Sequence, residues 1–130
     1  PLEPRVAAMA GLRDFEELLR LERLDLAGLG LPRLPERFAE LGRLRELSLV
    51  GNKLAALPES FGLLAALEDL RLQSNRLTSL PESFGQLAAL SSLDLMDNGL
   101  RGLPEAFGQL AALRSLHLMY NPLGALPERG

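Results

Sequence analysis

The sequence predicts an α/β repeat solenoid, and three columns of identical residues at one spacing carry the prediction. Asn52, Asn75, Asn98 and Asn121 recur every 23 residues. Pro35, Pro58, Pro81, Pro104 and Pro127 share that spacing, and so do Phe15, Phe38, Phe61, Phe84 and Phe107. A fixed period of roughly 20–50 residues marks a stacked array. One unit cannot bury its own apolar face, so it folds only against its neighbours.

The unit from Leu47 to Leu67 shows how the elements follow. Leu47-Ser48-Leu49 alternates inward and outward, the period of a β-strand. Gly51 and Asn52 then turn the chain. Pro58-Glu59 suits the first turn of a short helix or 3₁₀ segment: proline has no N–H to lose there, and the acid faces the positive helix end. Gly62 is expected to close that segment in a left-handed conformation. The asparagine column, Asn52, Asn75, Asn98 and Asn121, reads as structural. A buried amide can bond backbone groups of its own turn and the next.

The series Leu67, Leu70-Arg-Leu72 and Asn75-Arg-Leu77, found twice more downstream, resembles the leucine-rich-repeat signature. The added Leu-Pro-x-x-Phe-x-x-Leu segment is similar to that of the intracellular Ras-binding and Scribble-like group and its bacterial relatives. The resemblance covers about residues 15–130. It implies a right-handed solenoid with five parallel strands on the concave face and short helical or 3₁₀ turns on the convex face.

Residues 1–20 read as an N-terminal capping segment, helical from about 14, with Asp14 as N-cap and Phe15, Leu18 and Leu21 keeping the columns. Residues 21–130 are the repeats. The first unit is degenerate, with Leu29 where asparagine is expected and a second proline in Leu31-Pro32. The last is incomplete, stopping at Leu126-Pro-Glu-Arg-Gly130 with no polar cap, so truncation, a partner or self-association through that end is expected to account for it. The start at Pro1, without Met, reads as a fragment of a larger protein. Near-identity of Leu80–Leu90 and Leu103–Leu113 points to recent duplication or consensus engineering.

Composition narrows the function. Lys and Arg number 14 against 17 Asp and Glu, for a net charge of −3, with no basic run or basic–aromatic stripe, so nucleic acid is a poor partner. There is no cysteine, which excludes disulfide frameworks and thiolate metal sites. Extracellular relatives cap with cysteines, so the expected location is cytoplasmic. No stretch approaches the roughly 20 apolar residues that cross a membrane. No cofactor is expected.

In the implied fold, residues flanking the strand leucines point outward from the concave sheet. Three outward columns result: Asp25, Ser48, Arg71, Asp94, His117; then Ala27, Val50, Gln73, Met96, Met119; then Gly28, Gly51, Ser74, Asp97, Tyr120. The N-terminal members are small and offer little to grip. The bulky ones gather at Arg71, Gln73, Met96, His117, Met119 and Tyr120, rimmed by Asp94 and Asp97. Met and Tyr exposed beside Arg fit a protein interface. The candidate partner-binding set is therefore Arg71, Gln73, Asp94, Met96, His117, Met119 and Tyr120.

Competing chemistry is weaker. Asp94, His117 and Ser115 contain the residue types of a nucleophilic triad, yet residues i and i+2 of a strand stand about 6.6–6.8 Å apart on an open sheet. That spacing puts the serine and histidine out of hydrogen-bond reach. A metal site fails because His117 is the only histidine. The Glu36, Glu59, Glu82, Glu105 and Glu128 column compensates helix ends. Glu22, Arg45 and Glu68 align laterally, as do Arg23 and Glu46, and read as surface ion-pair ladders.

The first functional expectation is a non-catalytic protein-interaction module, binding a protein on its concave face. The second is the regulatory repeat region of a larger signalling enzyme, such as a GTPase, kinase or ubiquitin-ligase effector. A third is an engineered scaffold without a natural partner.

Overall fold

The computed structural model describes residues 15–124 of the chain. Asp14, the remainder of residues 1–14, Pro127 and Glu128 lie outside the described residues, and with them most of the predicted capping segment.

Each unit contributes a three-residue strand and then a 3₁₀ turn. The strands are β1 (Arg23–Asp25), β2 (Glu46–Ser48), β3 (Asp69–Arg71), β4 (Ser92–Asp94) and β5 (Ser115–His117). They pair in parallel, in chain order, as one five-stranded sheet. The register is one unit per step: Leu24 faces Leu47, Leu47 faces Leu70, Leu70 faces Leu93, and Leu93 faces Leu116. A single helical turn, α1 (Phe15–Leu18), precedes the stack and buries Leu18 completely.

The turns are η1 (Glu36–Glu40), η2 (Phe61–Leu63), η3 (Glu82–Gln86) and η4 (Glu105–Gln109). Proline stands one position earlier than the sequence suggests. Pro35, Pro81 and Pro104 occupy the cap with extended ψ of 156°, 153° and 154°. Their locked φ suits the extended backbone as well as the helical one. Each carbonyl then accepts the phenylalanine N–H three residues on, at 2.9 Å in all four units.

Leucines and phenylalanines fill the space between sheet and turns. Phe38, Phe61 and Phe84 are fully buried. Phe61, Phe84 and Phe107 stack with centroids 6.1 and 6.2 Å apart and planes within 5°. Such parallel, offset rings let one large side chain per unit pack against its own copies.

Gly62 does not terminate its turn in the left-handed region; among the described glycines only Gly28, Gly30 and Gly51 have positive φ. Its role is close approach. A Cβ on Gly62 would overlap the Ser83 carbonyl, and one on Gly85 would overlap the Ala106 carbonyl and come within 2.7 Å of the Ala106 Cβ. Adjacent turns pack backbone against backbone, which leaves no room for a side chain.

The asparagines close the other side of each unit. Asn75 accepts the Leu54 N–H at 3.1 Å and donates to the carbonyls of Leu49 at 2.9 Å and Leu72 at 3.0 Å. Asn52, Asn98 and Asn121 repeat the pattern. The bonds run to the asparagine's own unit and the preceding one, not to the next. The reason is position: asparagine stands in the turn four residues after its strand, and the unpaired amide within its reach belongs to the unit before. Leu29, which replaces asparagine in the first unit, has its own N–H bonded by Asn52 at 3.2 Å.

Two outcomes follow from these contacts. Asn75→Ala or Asn98→Ala should destabilise the fold by about 1–3 kcal/mol through unpaired backbone groups, read as a lower urea midpoint; an unchanged midpoint in both refutes the structural role. Gly85→Ala should cost about 1–3 kcal/mol or more by overpacking. Gly42→Ala, whose Cβ would meet only the Glu40 carbonyl at 4.0 Å, should melt near the wild-type temperature.

Candidate functional site

The strand leucines point inward and their neighbours outward, so the concave face is a grid with one unit per step. The pairings Asp25 to Ser48, Ser48 to Arg71, Arg71 to Asp94 and Asp94 to His117 place the first outward column side by side. Beyond the strands, the Gly51 N–H bonds the Gln73 carbonyl, Ser74 that of Met96, and Asp97 that of Met119. Those bonds align Val50, Gln73, Met96 and Met119 in the second column.

The structure thus brings together all seven predicted partner-binding residues on β3–β5 and the segments that follow them. Met119 and Tyr120 are strongly exposed, at 59% and 75%. Arg71 and His117 are exposed, and Gln73, Asp94 and Met96 are half-buried. The Arg71 guanidinium lies 3.5 Å from the Asp69 carboxylate. Among the described residues, the Gln73 Oε1 is buried without a hydrogen-bond partner.

The third column has a backbone property that the residue types conceal. Gly28 and Gly51 have φ of 70° and 69°, and Ser74, Asp97 and Tyr120 follow at 61°, 58° and 64°. All five positions are left-handed, a conformation costly for residues with a Cβ. The turn geometry is common to every unit, while glycine is present only in the first two. The Ser74 hydroxyl donates to Asp97 at 3.1 Å, which links two members of the column.

The catalytic candidates meet only in part. The Ser115 Oγ and His117 Nε2 are 3.5 Å apart. The strand spacing of i and i+2 alone therefore does not keep these side-chain atoms apart. Asp94 does not complete a relay. Its Oδ1 accepts the N–H of Met96 at 3.0 Å, as Asp25 does for Ala27. His117 is exposed on the open sheet. Among the described residues, no group of three His, Asp or Glu side chains could hold a metal, and no helix is long and apolar enough to cross a membrane.

The lateral ion pairs form as expected. Arg45 lies 3.7 Å from Glu22 and 3.2 Å from Glu68, and Arg23 lies 3.4 Å from Glu46. The hydrogen bond to Glu68 holds the Arg45 proton more tightly than usual. At the acidic column, the Glu36 carboxylate accepts the Ser60 hydroxyl at 2.9 Å.

One feature escaped the sequence reading. A recess of about 300 Å³ opens on β1–β3, lined by Arg23, Asp25, Glu46, Ser48, Asp69 and Arg71. Ser48 is too small to fill the space between Asp25 and Arg71. The small residues that suggest a face with little grip are the signal for this hollow.

The family model described as leucine rich repeat matches residues 55–100 and 66–123, and a second model of the same description matches 43–64. Among solved structures, a leucine-rich-repeat protein of Leptospira interrogans is 33% identical over 88% of the chain, with a TM-score of 0.72. The leucine-rich repeat domain of the type III effector XopL is 28% identical over 86%, with a TM-score of 0.79. The plant peptide hormone receptor RGFR1, in complex with RGF2, is 29% identical over 85%, with a TM-score of 0.74. The chain spans 35%, 42% and 19% of those three structures. No curated protein matches.

Proposed function

The chain belongs to the leucine-rich-repeat family, and on that premise we propose that it is a non-catalytic module whose concave sheet binds a protein partner. Solenoids of this kind present extended concave surfaces for binding. The left-handed column carries the reading. A left-handed backbone costs a residue with a Cβ about 1–2 kcal/mol, and glycine avoids that cost. Tyr120 nonetheless stands there, 75% exposed. The fold recovers little from so exposed a residue. A side chain kept against a backbone cost, beside exposed Met119, suits recognition by another molecule.

The neighbouring residues support the same surface. Gln73 and Met96, both half-buried, lie side by side in the second column, with the exposed Met119 and Tyr120 beyond them. Asp94 and Asp97 border the apolar group as a polar rim. The solved complex of RGFR1 with RGF2 supports a polypeptide as the class of partner. A second reading, the regulatory repeat region of a larger signalling enzyme or effector, is favoured by the resemblance to the repeat domain of the effector XopL.

The serine–histidine pair has no chemical role in this proposal. It is exposed, and Asp94 is engaged by its own strand.

Calorimetry against a partner recovered by pull-down checks the site. Tyr120→Ala and Arg71→Ala should each cost about 2 kcal/mol or more of binding, and convex Glu82→Ala almost none. Tyr120→Gly should weaken binding while raising stability by about 1 kcal/mol. Normal binding by both alanine variants, with loss in Glu82→Ala, places the site elsewhere. Generic ester hydrolysis should stay at background; turnover abolished by His117→Ala overturns the non-catalytic reading.

A further inference from the structure

Charge is sorted across the stack in a way that its own folding does not use. The segments leaving the strands toward the convex face, 27–35, 50–58, 73–81 and 96–104, carry Arg33, Lys53, Arg76 and Arg101 against one acid, Asp97. The whole chain has more acids than bases, 17 against 14, so composition does not produce this flank. Asp97 is occupied on the concave side by the Ser74 hydroxyl.

All four cations are exposed. Among the described residues none of them has an ion pair or a side-chain hydrogen bond. Near the strand N-termini Arg23 and Arg45 lie 3.4 and 3.2 Å from a carboxylate, whereas Arg20, Arg43 and Arg114, scattered there, have no ion pair among the described residues.

Backbone bonds hold the cationic segments in register. The Lys53 N–H bonds the Leu31 carbonyl at 2.9 Å, and the Arg76 N–H bonds the Leu54 carbonyl at 2.8 Å. Lys53 and Arg76 therefore occupy equivalent positions one unit apart, about 4.8 Å between backbones. Arg101 stands one unit further and two residues later. Like charges at this spacing repel, and among the described residues no carboxylate lies within ion-pair distance of them; the acidic column Glu36, Glu59, Glu82 and Glu105 begins one residue beyond these segments.

We infer that the flank carrying Lys53, Arg76 and Arg101 docks an acidic, extended segment of the protein partner, rich in Asp and Glu. The inference rests on the concave-face recognition proposed above, with which the flank is continuous through Gln73–Arg76. The four cationic segments contain no aromatic residue on which a base could stack, which favours an acidic polypeptide over single-stranded nucleic acid. An extended segment lying along the stack presents carboxylates on alternate residues about 6.6–6.8 Å apart, within reach of long Lys and Arg side chains.

Fluorescence anisotropy with a labelled oligo-glutamate peptide tests the flank apart from the apolar site. Binding should be saturable and weaken with salt. Lys53→Gln/Arg76→Gln/Arg101→Gln should weaken it by about tenfold or more. Arg23→Gln/Arg45→Gln should leave it unchanged. No binding, equal loss in both charge variants, or equal binding of oligo-thymidine or phosphatidylserine vesicles overturns the inference.

Discussion

The asparagine amide in the turn that follows β2, β3, β4 and β5 makes the bonds on which the stack depends. Its Oδ1 accepts an N–H of the unit before, and its Nδ2 donates to carbonyls of both units. The Leu49 carbonyl consequently receives Asn52 at 3.0 Å and Asn75 at 2.9 Å, and the Leu72 carbonyl receives Asn75 and Asn98, both at 3.0 Å. Both lone pairs of those oxygens are used, and the ladder runs unbroken to Asn121. Buried backbone groups must find partners, and three-residue strands leave many of them outside the sheet. The amide column supplies the partners, and so fixes where each unit sits on its neighbour.

Glycine and phenylalanine hold the opposite side of the stack by packing. Gly62 and Gly85 let adjacent turns approach backbone to backbone, and the aligned phenylalanine rings fill the space behind them. Inward positions are thereby held mainly by leucine, phenylalanine, asparagine and glycine, with buried Ala39 in the place of Gly62 in the first unit and Pro58 and Pro81 beside the turns. Outward positions carry no such restriction. Ser48, Arg71, Asp94 and His117 occupy one column of one sheet with no common chemistry. Departures from the repeat are therefore where recognition can be built without loss of the fold. The left-handed column is a special case, because there the side chains of Ser74, Asp97 and Tyr120 are present in spite of a local backbone preference for glycine.

Much of this was legible in the sequence because the period assigns lateral neighbours. Residues 23 apart must adjoin in a stack, so the columns, the five strands and the Arg45 ladder with Glu22 and Glu68 followed from counting. The same count placed the seven candidate binding residues on one face. The period carries no information about distance or direction within a step. Hence the asparagine bonds run backward rather than forward, Gly62 serves packing rather than termination, and Ser115 reaches His117 across a spacing that the strand repeat alone makes too long.

Counting along the chain yields the architecture and the cast of each column, since leucine and phenylalanine recurring every 23 residues are buried by stacking equivalent positions. Stacking alone settles which backbones are left-handed, where the recess on β1–β3 opens, and which cations meet a carboxylate: Arg23, Arg45 and Arg71 do, and Lys53, Arg76 and Arg101 do not. The physical reason is that turn dihedrals, side-chain reach and charge pairing depend on interatomic distances of a few ångströms. Those distances arise when the units stack, and no single unit contains them.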